Sequence, residues 1–266
     1  MVEVTLGVYY REKDENGEIY GGPTYYMEKG LGKERGVKWW IVPAVIFGGG
    51  IFSTFFITVQ NYTVSEAVSA AYGIKIIYAS IIYILVNYIL IIGGIKKLGK
   101  IVPFMCIFYI IAALYIIAIN IGNLPETIVL VFKGAFNGTA AVGGFAGAAF
   151  NQVMRIGMAR SVFSNEAGWG SSPMIHSSAQ TDHPVKQGLW GAFEVFVDTI
   201  IVCTLTALVI IITNVWQSGA TGATLTLSAF ETGMGLASKI FIATGIFLFG
   251  VTTSSGWYAY YEIILR

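Results

Sequence analysis

Four stretches of this 266-residue sequence bring together residue types that can do chemistry in an apolar setting. The first is Gly143-Gly144-Phe145-Ala146-Gly147. Glycine permits a helix to break. A break bares N–H groups at one half-helix start and C=O groups at another half-helix end, which suit a carboxylate and a cation respectively. An amino-acid zwitterion and sodium fit such ends. The other reading is close helix packing, since Gly143 and Gly147 have small-xxx-small spacing. The second stretch is Thr252-Thr253-Ser254-Ser255-Gly256-Trp257, consecutive hydroxyl oxygens of the kind that ligate a hard cation, with Trp257 one turn beyond Thr253 as an apolar wall. Against it, Ser and Thr in membrane helices often return their hydroxyl bond to the preceding turn.

The third is Glu194 with Asp198, one helical turn apart, with Asp198 deeper in an apolar run. Ionisable groups inside a membrane are functional candidates. They also serve by sitting near an interface or accepting bonds from a neighbouring helix. The fourth is the polar, glycine-rich loop from Arg160 through Asn165, Glu166 and Gly170 to Pro173, placed between apolar runs as a gate would be. Glu166, His176, Asp182 and His183 match no zinc spacing, least of all His-Glu-x-x-His.

The elements that must position these residues are membrane helices. The sequence is 55% hydrophobic and 12% charged, too few charges to clothe a surface in water. A net charge of +1 with scattered Lys and Arg excludes a nucleic-acid partner. Cys106 and Cys203 lie within apolar runs and read as small packing residues. A bilayer crossing takes about 20 apolar residues. Five stretches qualify, near 39–59, 74–95, 101–121, 188–213 and 237–265. A sixth, near 139–158, is interrupted by Gly143, Gly144 and Gly147 and carries Asn151, Gln152 and Arg155, the pattern of a discontinuous helix. The expectation is an all-α integral membrane protein with one transmembrane domain over 1–266. With residues 1–37 placed inside, every Lys and Arg except Lys75, Lys133 and Lys239 falls on the cytoplasmic side. Both termini are then cytoplasmic.

Phe163-Ser164-Asn165-Glu166-Ala167-Gly168-x-Gly170-Ser171-x-Pro173 resembles the signature region of the alanine-or-glycine:cation symporter family. The likeness continues through Thr181-Asp182-His183-Pro184-Val185-x-Gln187-Gly188 and Asp198-Thr199-Ile200-Ile201-Val202-Cys203-Thr204. Gly21-Gly22-Pro23-x-Tyr25-Tyr26 looks like another family stretch, so the resemblance covers essentially the whole chain.

The resemblance implies a leucine-transporter-like fold of two inverted five-helix repeats with discontinuous first and sixth helices. It implies symport of alanine or glycine with sodium as the co-transported ion, no bound cofactor and no enzymatic activity. The six spans are then core helices three to eight, and the glycine-rich segment is the discontinuous sixth. By the same likeness Thr252 and Thr253 match a sodium-ligand hydroxyl pair, and Trp257 a tryptophan near the substrate. Ser161, Thr24, Trp169 and Ser254-Ser255 depart from the family pattern, which bears on cargo size and gating. The first, second and last core helices have no counterpart. Either a second polypeptide supplies them, or the chain is an incomplete or split unit without transport of its own.

Overall fold

The computed structural model describes residues 1–56, 59–93, 98–136 and 145–265. Helices dominate, as they must where no water is present to satisfy backbone N–H and C=O groups. In chain order they are α1 (Val2–Tyr9), the hairpin β1 (Glu12–Lys13) and β2 (Ile19–Tyr20), α2 (Pro23–Tyr26) running into a π-helical stretch (Met27–Glu34), α3 (Ile41–Ser53) and α4 (Val59–Tyr72). Next come α5 (Ile76–Gly93), α6 (Leu98–Ile119), α7 (Leu124–Phe136), α8 (Phe145–Asn165) and α9 (Ser171–His176). α10 (Pro184–Val195) continues through a π-helical segment (Phe196–Val202) into α11 (Cys203–Ile212), and α12 (Gly222–Met234) and α13 (Leu236–Leu265) close the chain.

Among the described residues, Lys38–Tyr72, Pro184–Ile212 and Leu236–Leu265 are long and apolar enough to cross a membrane. Pro103–Ile119 and Ile121–Gly134 make a fourth candidate if taken as one broken span, bent by 77°. Large apolar side chains such as Ile46, Phe56, Tyr88 and Ile119 stand exposed, a surface that suits hydrocarbon rather than water. The protein is therefore a helical membrane protein.

The structure adds detail to these expectations. The helix of the expected span 101–121 ends at a bend, and the following residues form α7. Pro125 at its start and the apolar run Ile128–Phe132 explain that helix. Residues 139–144 of the expected crossing 139–158 lie outside the described residues, and from Phe145 the chain is the helix α8, through Arg155 and Arg160 to Asn165. The chain before Val37 is built of α1, the hairpin, α2 and the π-helical stretch.

The chain divides into two compact units. One comprises Met1–Val59, Asn165–Asp198 and Thr253–Arg266. In it, α1 lies on α9 and α10, and glycines set the approach. A methyl added at Gly188 would stand 2.2 Å from Thr5 Oγ1, and one at Gly191 2.8 Å from Val4 Cγ2. Two small residues three apart on α10 thus make a flat strip that Val4, 2% exposed, covers. Gly7 meets Pro173, and Gly21 meets the Gly7 carbonyl. The hairpin turn is held by Asp14, whose Oδ1 accepts from the N–H groups of Asn16 and Glu18 at 2.9 and 2.8 Å. Arg11 Nη1 donates to the carbonyls of Ser177 (3.0 Å) and Ala179 (2.7 Å), satisfying oxygens just past the end of α9.

The other unit comprises Gln60–Ser164 and Thr199–Thr252. Its core packs Ala67, Ala113, Ile116, Val209, Leu227 and Phe230, where alanines let the helices close on the larger side chains. The Glu66 carboxylate accepts from Ala223 N–H and Thr224 Oγ1, both at 3.3 Å, so a side chain of α4 caps the start of α12.

The glycine contacts generate a test. A methyl at Gly7 would lie 2.7 Å from Pro173 Cβ and 2.8 Å from its carbonyl oxygen, and one at Gly21 2.6 Å from the Gly7 carbonyl. Backbone cannot swing aside as a side-chain tip can, so Gly7→Ala and Gly21→Ala should each cost about 1–3 kcal/mol. Gly49, within α3 and with nothing inside 4 Å, should tolerate Ala or gain up to about 1 kcal/mol. Thermal unfolding in detergent micelles checks the order; equal midpoints for all three would contradict these contacts.

Candidate functional site

The turn joining α8 to α9 is the most tightly specified irregular backbone in its unit. Glu166 takes φ +51°, Gly168 +84° and Gly170 +87°. Left-handed backbone costs an ordinary residue about 1–2 kcal/mol, so Glu166 needs local support. It has that support: its carbonyl accepts the Trp169 N–H at 2.9 Å, and its Oε2 accepts the Ser171 hydroxyl at 2.6 Å. Asn165 Oδ1 accepts the Ala167 N–H at 3.2 Å, and the Gly168 N–H donates to Glu3 Oε1 at 2.9 Å. Gly170 is buried where a methyl would meet Phe47 Cε2 at 2.5 Å and Pro23 Cγ at 2.7 Å, so only glycine fits.

The half-buried Trp169 projects from this turn onto Trp257 of α13, ring centroids 5.9 Å apart and planes at 76°. Trp257 also meets Tyr260 edge-on at 5.2 Å and Tyr261 at 6.1 Å. Trp257, Tyr260 and Tyr261 pack against the core formed by Tyr20, Ile51, Met174 and Ile263.

Burial raises the Glu166 carboxyl above its ordinary value; the Ser171 hydrogen bond opposes that shift, and the charges of Glu194 and Asp198 add to it. Glu194 itself is exposed and meets the His176 ring, Nε2 to Oε2 at 2.7 Å. The Gln187 side-chain nitrogen lies 2.6 Å from His176 Nδ1. With the amide nitrogen donating to Nδ1, a neutral His176 ring carries its proton on Nε2, facing Glu194. Asp198 is half-buried within the π-helical segment, a form of helix often found at functional sites. The switch in pitch at Phe196 means that the four-residue spacing from Glu194 is not carried on one regular α-helical face.

Of the residues singled out from sequence, Asn165, Glu166, Asp198, Thr253 and Trp257 fall in one unit and Thr252 in the other. Within the first unit the charge of Asp198 acts on Glu166. Thr252 Oγ1 bonds back to the carbonyls of Phe249 (2.9 Å) and Leu248 (3.3 Å), the return bond expected of a helical Thr. Thr253 is exposed and Ser255 buried. Phe145 and Gly147 lie in the first turn of α8, and Gly143 and Gly144 fall outside the described residues. Sequence reading missed the contact of Trp169 with Trp257 and the pairing of His176 with Gln187 and Glu194. The flanking glycines of Gly168-Trp169-Gly170 were the available signal for the first, since they mark a residue held by constrained backbone.

A sequence model of the sodium:alanine symporter family matches residues 1–266. The chain is 38% identical over 270 residues to the sodium/alanine symporter AgcS of Methanococcus maripaludis, covering 98% of this chain and 58% of the relative. It is 40% identical over 267 residues to the probable sodium/glutamine symporter GlnT of Bacillus subtilis, 98% of this chain and 54% of that protein. It is also similar to the uncharacterized transporter YflA of Bacillus subtilis, 38% identical over 260 residues. The chain thus spans about half the length of the curated relatives it matches. In each, the matched stretch sits inside one longer polypeptide, which gives the expected second polypeptide no support. The family is one of transporters and not of enzymes, and on this whole-length match the chain belongs to the sodium:alanine symporter family.

Proposed function

We propose that this chain serves sodium-coupled symport of a small neutral amino acid, alanine or glycine, across the cytoplasmic membrane. The observation that carries the reading is the family match over residues 1–266. The likeness to a sodium/alanine symporter supports alanine, while that to a probable sodium/glutamine symporter makes glutamine the competitor to test. The proposed architecture is six crossings equivalent to core helices three to eight of a leucine-transporter-like fold, with both termini cytoplasmic. The uneven distribution of Lys and Arg supports that orientation.

In this reading the glycine-rich segment Gly143, Gly144, Phe145 and Gly147 receives the substrate, and Trp257 walls its side chain. Thr252 and Thr253 offer hydroxyl oxygens to sodium. The back-bond of Thr252 is compatible with that role, because a hydroxyl that donates its proton to a carbonyl keeps its lone pairs for a cation. Asn165, Glu166 and Asp198 form the gate, supported by the constrained turn and the burial of the Glu166 carboxyl.

Uptake of labelled alanine into proteoliposomes should require an inward sodium gradient and be inhibited by glycine more strongly than by glutamine. Uptake indifferent to sodium would end the coupling assignment, and stronger inhibition by glutamine would reassign the cargo.

Removing one oxygen ligand by Thr252→Val or Thr253→Val forfeits an interaction comparable to a hydrogen bond with a charged group, about 1.5–3 kcal/mol. The half-saturating sodium concentration should rise roughly tenfold to a hundredfold. If both variants keep the sodium dependence of the parent, these hydroxyls are not ligands.

Glu166 makes a signed prediction. Its carboxyl is raised in the folded protein, so the proton-bound form is favoured there. That contribution to stability is full below the ordinary carboxylate value of about 4.3 and is lost as pH rises through the raised value. Glu166→Gln retains an acceptor for Ser171 without a charge, and should flatten the fall in unfolding midpoint over that window. A parent protein whose midpoint is level there would show that burial of Glu166 has no such effect.

A further inference from the structure

We propose that Trp169 is a positioning residue that fixes the indole of Trp257 and thereby limits the side chain the transporter accepts; this rests on Trp257 being the cargo wall. Trp257 has Tyr260 and Tyr261 beside it on its own helix, which move with it. Trp169 reaches it from a different segment, edge to face at 5.9 Å. An aromatic contact of this geometry is directional, so it sets ring orientation as well as filling space.

Trp169 is itself unable to drift. Its N–H is held by the Glu166 carbonyl, and the residue before it is tied through Gly168 N–H to the Glu3 carboxylate. The residue after it, Gly170, is wedged under Phe47 and Pro23 with no room for a methyl. Ser171 then anchors the turn to Glu166 at 2.6 Å. Constraint on both sides of one large exposed-to-half-buried side chain is what positioning requires, because a wall is only as fixed as the group behind it. A smaller residue at 169 removes the edge-on contact that orients the indole, so that Trp257 can turn and admit a bulkier side chain. A pocket discriminates by roughly 10–200-fold per methylene, so even a small turn changes the cargo profile.

The test is competition against sodium-driven uptake of labelled alanine by unlabelled glycine, alanine and leucine, for the parent chain, Trp169→Leu and Trp169→Phe. Trp169→Leu should lower the inhibitory concentration of leucine relative to that of alanine by about tenfold, with Trp169→Phe between it and the parent. A loss of folded protein would lower all uptake without moving this ratio, and thermal unfolding of each variant identifies it. Should Trp169→Leu not fold, the ratio for Trp169→Phe decides alone. An unmoved ratio in a folded variant overturns the role of Trp169 while leaving symport intact. Absence of sodium-driven alanine uptake by the parent overturns the functional reading, and this inference with it.

Discussion

A chain surrounded by hydrocarbon must satisfy every backbone N–H and C=O from within, and the rest of this structure follows from that constraint. It makes the long elements helical. The irregular pieces outside the long helices are held by local hydrogen bonds instead. Between α8 and α9 the backbone leaves the helix, and its donors are met one after another: Ala167 by Asn165, Gly168 by Glu3, Trp169 by Glu166. Beyond α9, Arg11 supplies the donors for two carbonyls that the short helix leaves open. The polar residues of the family signature are in this sense the partners that let the chain turn.

Glycines in the same unit serve close approach, since a residue without a side chain lets backbones meet where a methyl would clash. Gly188 and Gly191 open α10 to α1, while Gly7 and Gly21 bring α1 and the chain after β2 against each other and against Pro173. Helices elsewhere keep glycines with open space around them, such as Gly49 and Gly50 in α3. One residue type therefore does unlike things, and only the contacts separate them.

Those contacts decide what was legible in the sequence. The membrane class and the long helices at Pro184–Ile212 and Leu236–Leu265 could be read, because apolar length is a local property. The family could be read from the stretch around Asn165-Glu166-Ala167-Gly168, because its order is distinctive. The helix α7 and the bend before it were not legible, since Asn120 and Pro125 mark a break without saying whether the chain resumes as helix. Nor was the partner of Trp169, which lies far along the chain in α13. The hydroxyls of Thr252 to Ser255 were legible as a group, but their individual fates differ with the face of the helix each occupies.

The carboxylates beside the turn show why position outweighs residue type. Glu194 is exposed and meets the His176 imidazole, whose other ring nitrogen lies beside the Gln187 amide. Glu166 is half-buried and receives a single hydroxyl proton from Ser171, too little to offset the loss of water, and the neighbouring charges of Glu194 and Asp198 press in the same direction. Its charge is therefore disfavoured by its surroundings. Opening the turn to water would favour the carboxylate, and closing it would favour the acid. A group whose proton affinity follows the exposure of its own loop couples protonation to the position of that loop, as linkage requires.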